Sequence, residues 1–184
     1  RLELIENNKL IIDPNISFMN SDEEDPISLS YPIVIFHENI YKMWYGSTIN
    51  WSSENGEMIH VIKYATSKDA INWEKHGIAI PYELGLAQAF SRPSVIIDKN
   101  GYHMWFSYRD GSGNKYRIGY SHSNNGTSWT NKLDKVGINV SNTGWDSEMI
   151  CYPFVFDHRG NRYMFYNGNS YGKYGFGLAK LTKK

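Results

Sequence analysis

Cysteine and net charge are the two things this sequence most clearly lacks. Cys151 is the single cysteine among 184 residues, so no internal disulfide can form and nothing requires an oxidising compartment. The 19 Lys and Arg balance 19 Asp and Glu. This balance argues against nucleic acid and against an anionic membrane surface as partners, because both select a basic face. No apolar run approaches the ~20 residues that a membrane-spanning helix needs.

Motifs for metals, cofactors and targeting are lacking too. The six histidines do not have metal-ligand spacing. The segment 172–175 is not followed by the helix that a P-loop requires. The sequence therefore predicts neither a metal nor a cofactor. The segment 1–8 is too polar for a secretory signal, which favours a cytoplasmic location.

Aromatic residues are abundant. They make up 15% of the chain, with 14 Tyr and 6 Trp. Strand packing explains most of such an excess, because aromatic side chains fit a pleated sheet. Flat rings with polar tips also suit sugars, which present both apolar and polar surface. The composition therefore allows a carbohydrate ligand without establishing one.

An internal repeat organises the chain. An apolar segment headed by proline occurs three times, and each copy is followed by a second segment with a central methionine. The prolines and the methionines are each separated by 61 and then 60 residues: Pro32, Pro93 and Pro153, and Met43, Met104 and Met164. Two independent segments that keep one spacing establish a structural repeat. A turn headed by Asp69 or Asn125 and a following Trp also recur.

Each repeat holds four short strands, the size of one β-propeller blade. The predicted fold is all-β, with three four-stranded blades at 27–80, 88–140 and 148–184 in a single domain over 1–184. The segment 4–12 resembles a fourth strand, which either completes the last blade or belongs to an earlier one. Three blades fall below the usual four to eight, so the sequence favours part of a larger, five-bladed propeller.

Several segments carry a resemblance to a known family. They are Ser-Arg-Pro at 91–93, the aromatic segment 104–109, the segments 116–120 and 144–153, and the Tyr- and Gly-rich segments 163–169 and 171–177. Together they resemble bacterial glycosidase-like five-bladed propellers related to glycoside hydrolase families 32, 43 and 130, with this chain matching the last three blades. The resemblance implies a carbohydrate-active protein, connected in many relatives with surface-polysaccharide metabolism. It also implies that a second catalytic carboxylate comes from a blade outside this sequence.

Two carboxylates are the catalytic candidates. Glu148 lies five residues before its proline and Asp146 seven before it. On an extended segment both side chains point to one side, where like-charge repulsion raises one pKa and suits a general acid. The alternative is a structural carboxylate that accepts loop hydrogen bonds or pairs with an arginine.

The binding candidates are residues that differ between the copies of the repeat, at positions that the blade scaffold does not determine. The first strand of a blade begins, and the second ends, at the same face of the disc, so these residues should meet at one mouth. Tyr31, Arg92 and Tyr152 are expected at one rim. The proposed binding residues are Arg92, Arg109, Asp110, Asn167, Asn169, Trp145, Tyr171 and Lys173. Their alternatives are an Arg92–Glu148 or Arg109–Asp110 ion pair, an Asn-Gly turn, and aromatic packing.

These residues favour an enzyme that processes a glycan or sugar conjugate. A carbohydrate-binding propeller without turnover, or a structural module whose mouth holds a partner, would use the same surface. Open blade edges also predict self-association. The sugar, and whether hydrolysis would retain or invert configuration, do not follow from the sequence.

Overall fold

A computed structural model of the chain describes residues 19–113 and 115–181, together with the backbone of two short strands before them. Within these residues the strands follow one another with little helix between them. In chain order they are β1 Leu2–Ile5, β2 Lys9–Ile12, β3 Ser28–His37, β4 Ile40–Asn50, β5 Ile59–Ser67, β6 Glu74–Ile78, β7 Ser91–Asp98, β8 Gly101–Tyr108, β9 Arg117–Ser123, β10 Thr130–Asn131, β11 Cys151–His158, β12 Asn161–Asn167 and β13 Phe176–Lys180. A 3-10 turn covers Leu133–Lys135, and a four-residue helical turn, α1, covers Asn169–Gly172.

Three antiparallel sheets follow the repeat. The first sheet has the order β3-β4-β5-β6, the second β10-β9-β8-β7 and the third β11-β12-β13. Each is a meander of consecutive strands, and the all-β prediction of antiparallel blades is confirmed. The third sheet has three strands among the described residues, where four were expected.

The N-terminal strands differ from the sequence expectation. Leu2–Ile5 pairs with Lys9–Ile12 in an antiparallel hairpin, with Leu2 opposite Ile12. A single fourth strand over 4–12 was predicted from its apolar pattern. The structure has two short antiparallel strands in this range, and the backbone of each forms hydrogen bonds with the other.

The turn after the third strand of the first two sheets has the predicted chemistry. Asp69 Oδ1 accepts hydrogen bonds from the backbone N–H groups of Ile71 and Asn72. Asn125 Oδ1 accepts the corresponding bonds from Thr127 and Ser128. These acceptors fix the turn locally, and each fourth strand begins just after the Trp that follows.

The hydrophobic core lies between neighbouring sheets. Trp44, Ile62, Phe90, Met104 and Phe106 are buried between the first and second sheets, with Trp129 closing the cluster. A second cluster between the second and third sheets contains Trp105, Ile118, Ile150, Val155 and Met164. The first strand of each later sheet packs on the preceding sheet, because β7 contacts β3, β4 and β5, and β11 contacts β7, β8 and β9.

Polar contacts join the sheets at the end that carries the β7–β8 and β11–β12 turns. Tyr102 OH accepts a hydrogen bond from Lys42 Nζ of the first sheet at 2.6 Å. Arg162, at the equivalent position of the third sheet, donates to Asp98 Oδ2 of the second at 3.0 Å. In both later sheets, the residue at this repeat position therefore forms a hydrogen bond with the preceding sheet.

The outward faces of the first and third sheets expose apolar side chains. Val34 and Phe36 are exposed on β3, and Phe154, Phe176 and Leu178 on β11 and β13. By contrast, the faces that meet between the first and second sheets and between the second and third sheets bury their side chains against each other. The self-association expected from the sequence stays a prediction.

Candidate functional site

A β-bulge interrupts the first strand of every sheet just before its proline. The pairing register shifts between Ser30 and Ile33 in β3, between Ser91 and Ser94 in β7, and between Cys151 and Phe154 in β11. The residue before the proline has a left-handed backbone each time, with φ of 52° at Tyr31, 49° at Arg92 and 58° at Tyr152. The repeat therefore builds the same irregularity three times.

This backbone is unfavourable for the residues that adopt it. A non-glycine residue rarely has positive φ, and a following proline further restricts it toward extended conformations. Such strain persists only where the surrounding structure imposes it, and it concentrates at binding and catalytic sites. Bulges likewise occur beside active sites, where they redirect a side chain. The three bulges are the strongest structural indication of a site.

The three bulge side chains form one row, which we call the rim row. The Arg92 guanidinium carbon lies 5.2 Å from the centre of the Tyr31 ring and 4.4 Å from that of Tyr152. Arg92 is exposed, Tyr31 is 40% exposed and Tyr152 is half-buried. Burial, as the largest effect, raises the pKa of Tyr152 to about 12, so its hydroxyl stays protonated. The row therefore presents a guanidinium between two tyrosine rings.

Further aromatic contacts extend the rim row toward the second sheet. Tyr171 stacks on Tyr152 with ring centres 6.1 Å apart, and both rings lie near Tyr116. The Arg109 guanidinium carbon lies 4.8 Å from the centre of the Tyr116 ring. Arg109 also donates to Glu57 Oε1 of the first sheet at 2.8 Å. Arg92, Tyr171 and Arg109 are thus connected through tyrosine rings.

Glu148 lies at the boundary between the second and third sheets. Its side chain is 55% exposed and forms an ion pair with Lys115, while its carbonyl accepts a hydrogen bond from Arg117 at 2.9 Å. The alternative of an Arg92–Glu148 ion pair is not what the structure has, since Glu148 pairs with Lys115, and Arg109 pairs with Glu57. Glu148 is accessible to a ligand, but its charged neighbour is an ammonium group and not a second carboxylate.

Asp146 has a different environment from Glu148. It is 5% exposed, and its Oδ2 accepts a hydrogen bond from Tyr166 OH at 3.0 Å. Burial comes first among the causes that raise the pKa of Tyr166 to about 12, and the hydrogen bond to Asp146 adds to it. The expectation that both carboxylates point to one side is wrong, because the segment around them is a series of turns and not an extended strand.

Asn169, Trp145 and Asn167 hold this segment in place. Asn169 Oδ1 accepts from the backbone N–H groups of Glu148 and Met149, and its amide donates to Gly144 O. The Trp145 ring stacks on Tyr166 at 5.5 Å. A Cβ at Gly168 would lie 2.4 Å from that indole, so glycine is needed there. Asn167 Nδ2 donates to Tyr171 O at 2.9 Å, within a turn where Ser170 and Tyr171 are left-handed.

The two remaining candidates make local contacts. Asp110 Oδ1 accepts hydrogen bonds from the backbone N–H and the hydroxyl of Ser112. Lys173 is exposed, with its ammonium 5.5 Å from the Tyr174 ring centre. Among the described residues, Lys173 has no recorded contact with the rim row.

A buried histidine, His60, lies next to the ring of Tyr31. His60 hydrogen-bonds to Thr48 Oγ1 at 2.8 Å and to Ser30 Oγ at 3.2 Å, and its ring lies 6.2 Å from that of Tyr31. Burial lowers the pKa of His60 to about 4, so the imidazole is neutral at pH 7. Cys151 of the third sheet occupies the repeat position of Ser30, two residues before the proline. Burial raises the pKa of its thiol to about 12, which leaves it unreactive.

Neither a metal cluster nor a membrane span is found in the described part of the chain. No group of three or more His, Cys, Asp or Glu side chains there is arranged to hold a metal ion. Across the same residues, no helix has the length and apolar character needed to cross a bilayer.

Comparison of the sequence with known proteins gives two relatives of undescribed activity. No family model matches the chain. Two uncharacterised proteins from two strains of Mycobacterium tuberculosis are each 48% identical to it over 161 residues. The match covers 87% of this chain and 53% of each relative, so the chain spans about half the length of the curated relatives it matches.

Solved glycoside hydrolases share the arrangement of sheets. A family 117 glycoside hydrolase from the marine bacterium Zobellia galactanivorans gives a TM-score of 0.67 at 19% identity, over 89% of this chain and 55% of its own. Another glycoside hydrolase gives 0.72 at 15% identity, over 96% and 53% of the two chains. The chain has the fold of a glycosidase-like β-propeller. A thermostable family-43 glycoside hydrolase adds a TM-score of 0.59 at 21% identity, over 80% and 44%.

The sequence did not single out several residues that surround the rim of this propeller. Tyr31 and Tyr152 were expected at one rim but were not among the proposed binding residues, although they occupy the same repeat position as Arg92. Tyr116 was noted only within the segment 116–120 and not as a site residue, and Glu57 and Lys115 were missed altogether. Their partners lie in neighbouring sheets, and no local pattern in the sequence records such contacts.

Proposed function

We propose that this glycosidase-like propeller is carbohydrate-active and that its glycan lies across the rim row. The observation that carries the proposal is the row itself: three strained bulges present Tyr31, Arg92 and Tyr152 side by side at the surface. Strain at an exposed position gives no stability, so its repetition favours a role in binding.

The chemistry of the row suits a sugar. A pyranose has apolar C–H faces, which pack on aromatic rings, and hydroxyl edges, which need donors and acceptors. Tyrosine hydroxyls can both donate and accept, and the guanidinium donates. Tyr171, 53% exposed and stacked on Tyr152, lengthens the surface beyond a single ring.

Ligand binding to alanine variants of the row tests this proposal. We expect Tyr31→Ala and Tyr152→Ala each to weaken glycan binding by about tenfold or more, since losing one aromatic contact costs about 1–1.5 kcal/mol. A glycan array followed by titration calorimetry would measure it. Tyr41→Ala is the matched control, because Tyr41 lies in the same sheet about 17 Å further along the strand. Equal binding by all three variants would contradict the proposal.

Hydrolysis is the second candidate function. It is favoured by the exposure of Glu148, four residues before Tyr152 of the rim row, and by the fold shared with glycoside hydrolases. Asp146 is not a good partner for it, because Tyr166 holds that carboxylate inside the third sheet. Glu148 would be the general acid, and the second carboxylate would come from outside the described residues.

Glycosidase assays on the complete protein distinguish turnover from binding. Glu148→Gln keeps the shape of the side chain and removes its proton, so turnover should fall by ~10²-fold or more while binding is retained. Glu38→Gln is the control, because Glu38 is also exposed and also pairs with a lysine, Lys42. Unchanged turnover in Glu148→Gln would exclude the general-acid role. If the unmodified protein binds glycans without measurable turnover, the binding function is supported and hydrolysis is not.

A further inference from the structure

The structure assigns an anion-binding role to Arg92: the glycan at the rim row carries a carboxylate, or another oxyanion such as a phosphate or sulfate ester, which the guanidinium binds. This inference rests on the proposed function and specifies the class of glycan. It goes beyond a general sugar site, because a neutral sugar would not need an uncompensated cation at this position.

Two of the cations around the rim have carboxylate partners, and Arg92 does not. Arg109 pairs with Glu57, and Lys115 pairs with Glu148. Within residues 19–113 and 115–181, Arg92 has neither a carboxylate partner nor a hydrogen-bond acceptor. Arg117 donates only to backbone carbonyls, those of Lys115, Tyr116 and Glu148. The rim therefore carries excess positive charge in a protein whose formal net charge is zero.

Two tyrosine rings contact the guanidinium. The centres of the Tyr31 and Tyr152 rings lie 5.2 Å and 4.4 Å from its central carbon. Arginine stacks on aromatic rings by its planar faces, while its N–H groups point outward in the plane. Two parallel N–H donors match the two oxygens of a carboxylate, or of a phosphate, better than they match single hydroxyls.

Groups next to Arg92 help to hold its two tyrosine neighbours in position. The backbone N–H of Tyr152 donates to Ser107 Oγ of the second sheet at 2.7 Å, which fixes the bulge that carries one of the two rings. The His60 network beneath Tyr31 is neutral at pH 7, because burial lowers the pKa of His60. No described anion beside Arg92 competes with a ligand, and its two aromatic neighbours limit its rotamer freedom before the ligand arrives.

Matched pairs of glycosides test the inference. Methyl glucuronides and methyl galacturonides differ from the corresponding methyl glucosides and galactosides in the carboxylate alone, and inorganic phosphate tests the oxyanion without a sugar. A glycan array with acidic and neutral partners extends the same comparison to larger ligands. Titration would be done on the unmodified chain, on Arg92→Gln and on Arg159→Gln. Arg159 is an exposed arginine in the turn after β11, about 20 Å from the rim, and provides the charge-matched control.

The expected result is at least tenfold tighter binding of acidic than of neutral partners by the unmodified chain and by Arg159→Gln. Arg92→Gln should lose that preference while its neutral-sugar affinity stays within about threefold. Rising salt should reduce the preference as well. Equal affinity for acidic and neutral partners, or a preference that survives Arg92→Gln, would overturn the inference and leave the proposed function intact. If no glycan binds, the proposed function and this inference are both wrong.

Discussion

The first and third sheets use the same aspartate–tyrosine contact in two electrostatic settings. Tyr45 OH donates to Asp25 at 3.1 Å in the first sheet, and Tyr166 OH donates to Asp146 at 3.0 Å in the third. Each aspartate lies seven residues before its proline. The second sheet has Leu86 there and Phe106 in place of the tyrosine. The contact anchors the segment that leads into the bulge, and a blade can also be built without it.

The two aspartates differ in the charges that face them. Asp25 is fully buried and pairs with Lys63 at 3.0 Å and with Lys75. Burial acts to raise the pKa of Asp25, but the bonds from Lys75 and Lys63 outweigh it and the net pKa is lowered. Asp146 forms no ion pair with any residue the structure describes. The same repeat position therefore holds a buried ion cluster in one sheet and a single hydrogen bond in the other.

The largest predicted effect is on the first sheet. Asp25→Asn should lower the free energy of unfolding by about 3 kcal/mol at pH 7, because it leaves the Lys63 ammonium buried without its counter-ion. Urea denaturation would measure the loss. Asp22→Asn removes the exposed partner of the same Lys75 and should have a much smaller effect. Similar losses in the two variants would show that burial of the pair is unimportant.

An intermediate effect is predicted where the third sheet joins the second. Burial raises the pKa of Asp98, but hydrogen bonds from the Asn100 amide, His103 and Arg162 outweigh it and lower the pKa to about 2. Asp98→Asn should cost about 1–2 kcal/mol at pH 7, because a hydrogen bond to a charged group is lost.

This interface should also be sensitive to acid. The folded pKa of Asp98 lies below the ~4 of an unfolded aspartate, so its contribution is complete above pH ~4 and is lost as the pH falls toward 2. Unfolding at a series of pH values would measure this. Asp98→Asn should lose less stability than the unmodified chain across that window, and parallel curves for the two proteins would contradict the assignment.

The smallest predicted effect is on the third sheet. Asp146→Asn retains an oxygen that can accept the Tyr166 hydrogen bond, and no lysine loses a partner. The free energy of unfolding should fall by less than about 1 kcal/mol. Measured beside Asp25→Asn, this variant isolates the cost of leaving the Lys63 ammonium without its counter-ion. A loss as large as that of Asp25→Asn would mean that the Asp146 carboxylate makes a stabilising charged contact in addition to its hydrogen bond with Tyr166.

The blades could be predicted from the sequence because their determinants are local. The spacing of Pro32, Pro93 and Pro153 marks the first strands, and the Asx turn at Asp69 closes a strand with bonds to residues two and three positions later. The bulges could not be predicted in this way. A left-handed residue before proline opposes the local preference, and the packing of neighbouring sheets imposes it.

The candidate site was predicted only in part for a related reason. Side chains two residues apart on a strand point to the same side, and the prediction placed Asp146 and Glu148 together for that reason. The segment that carries them forms turns, so the two side chains point in different directions. Arg109 was recognised as a cation at the mouth, but its partner Glu57 is 52 residues earlier and in another sheet. Sequence separation of that kind leaves no periodic signal.

Because of the bulges, the stability of a sheet depends little on which side chain it presents at the rim. At the rim, Tyr31 and Arg92 expose their side chains, while the backbone of β11 is held by bonds to Ser94 and Ser107 of the second sheet. The same backbone already accommodates tyrosine twice and arginine once. Exchanges at this position should therefore change what the rim recognises with little cost to folding. A repeated scaffold of this kind can acquire a new ligand by single substitutions, one blade at a time.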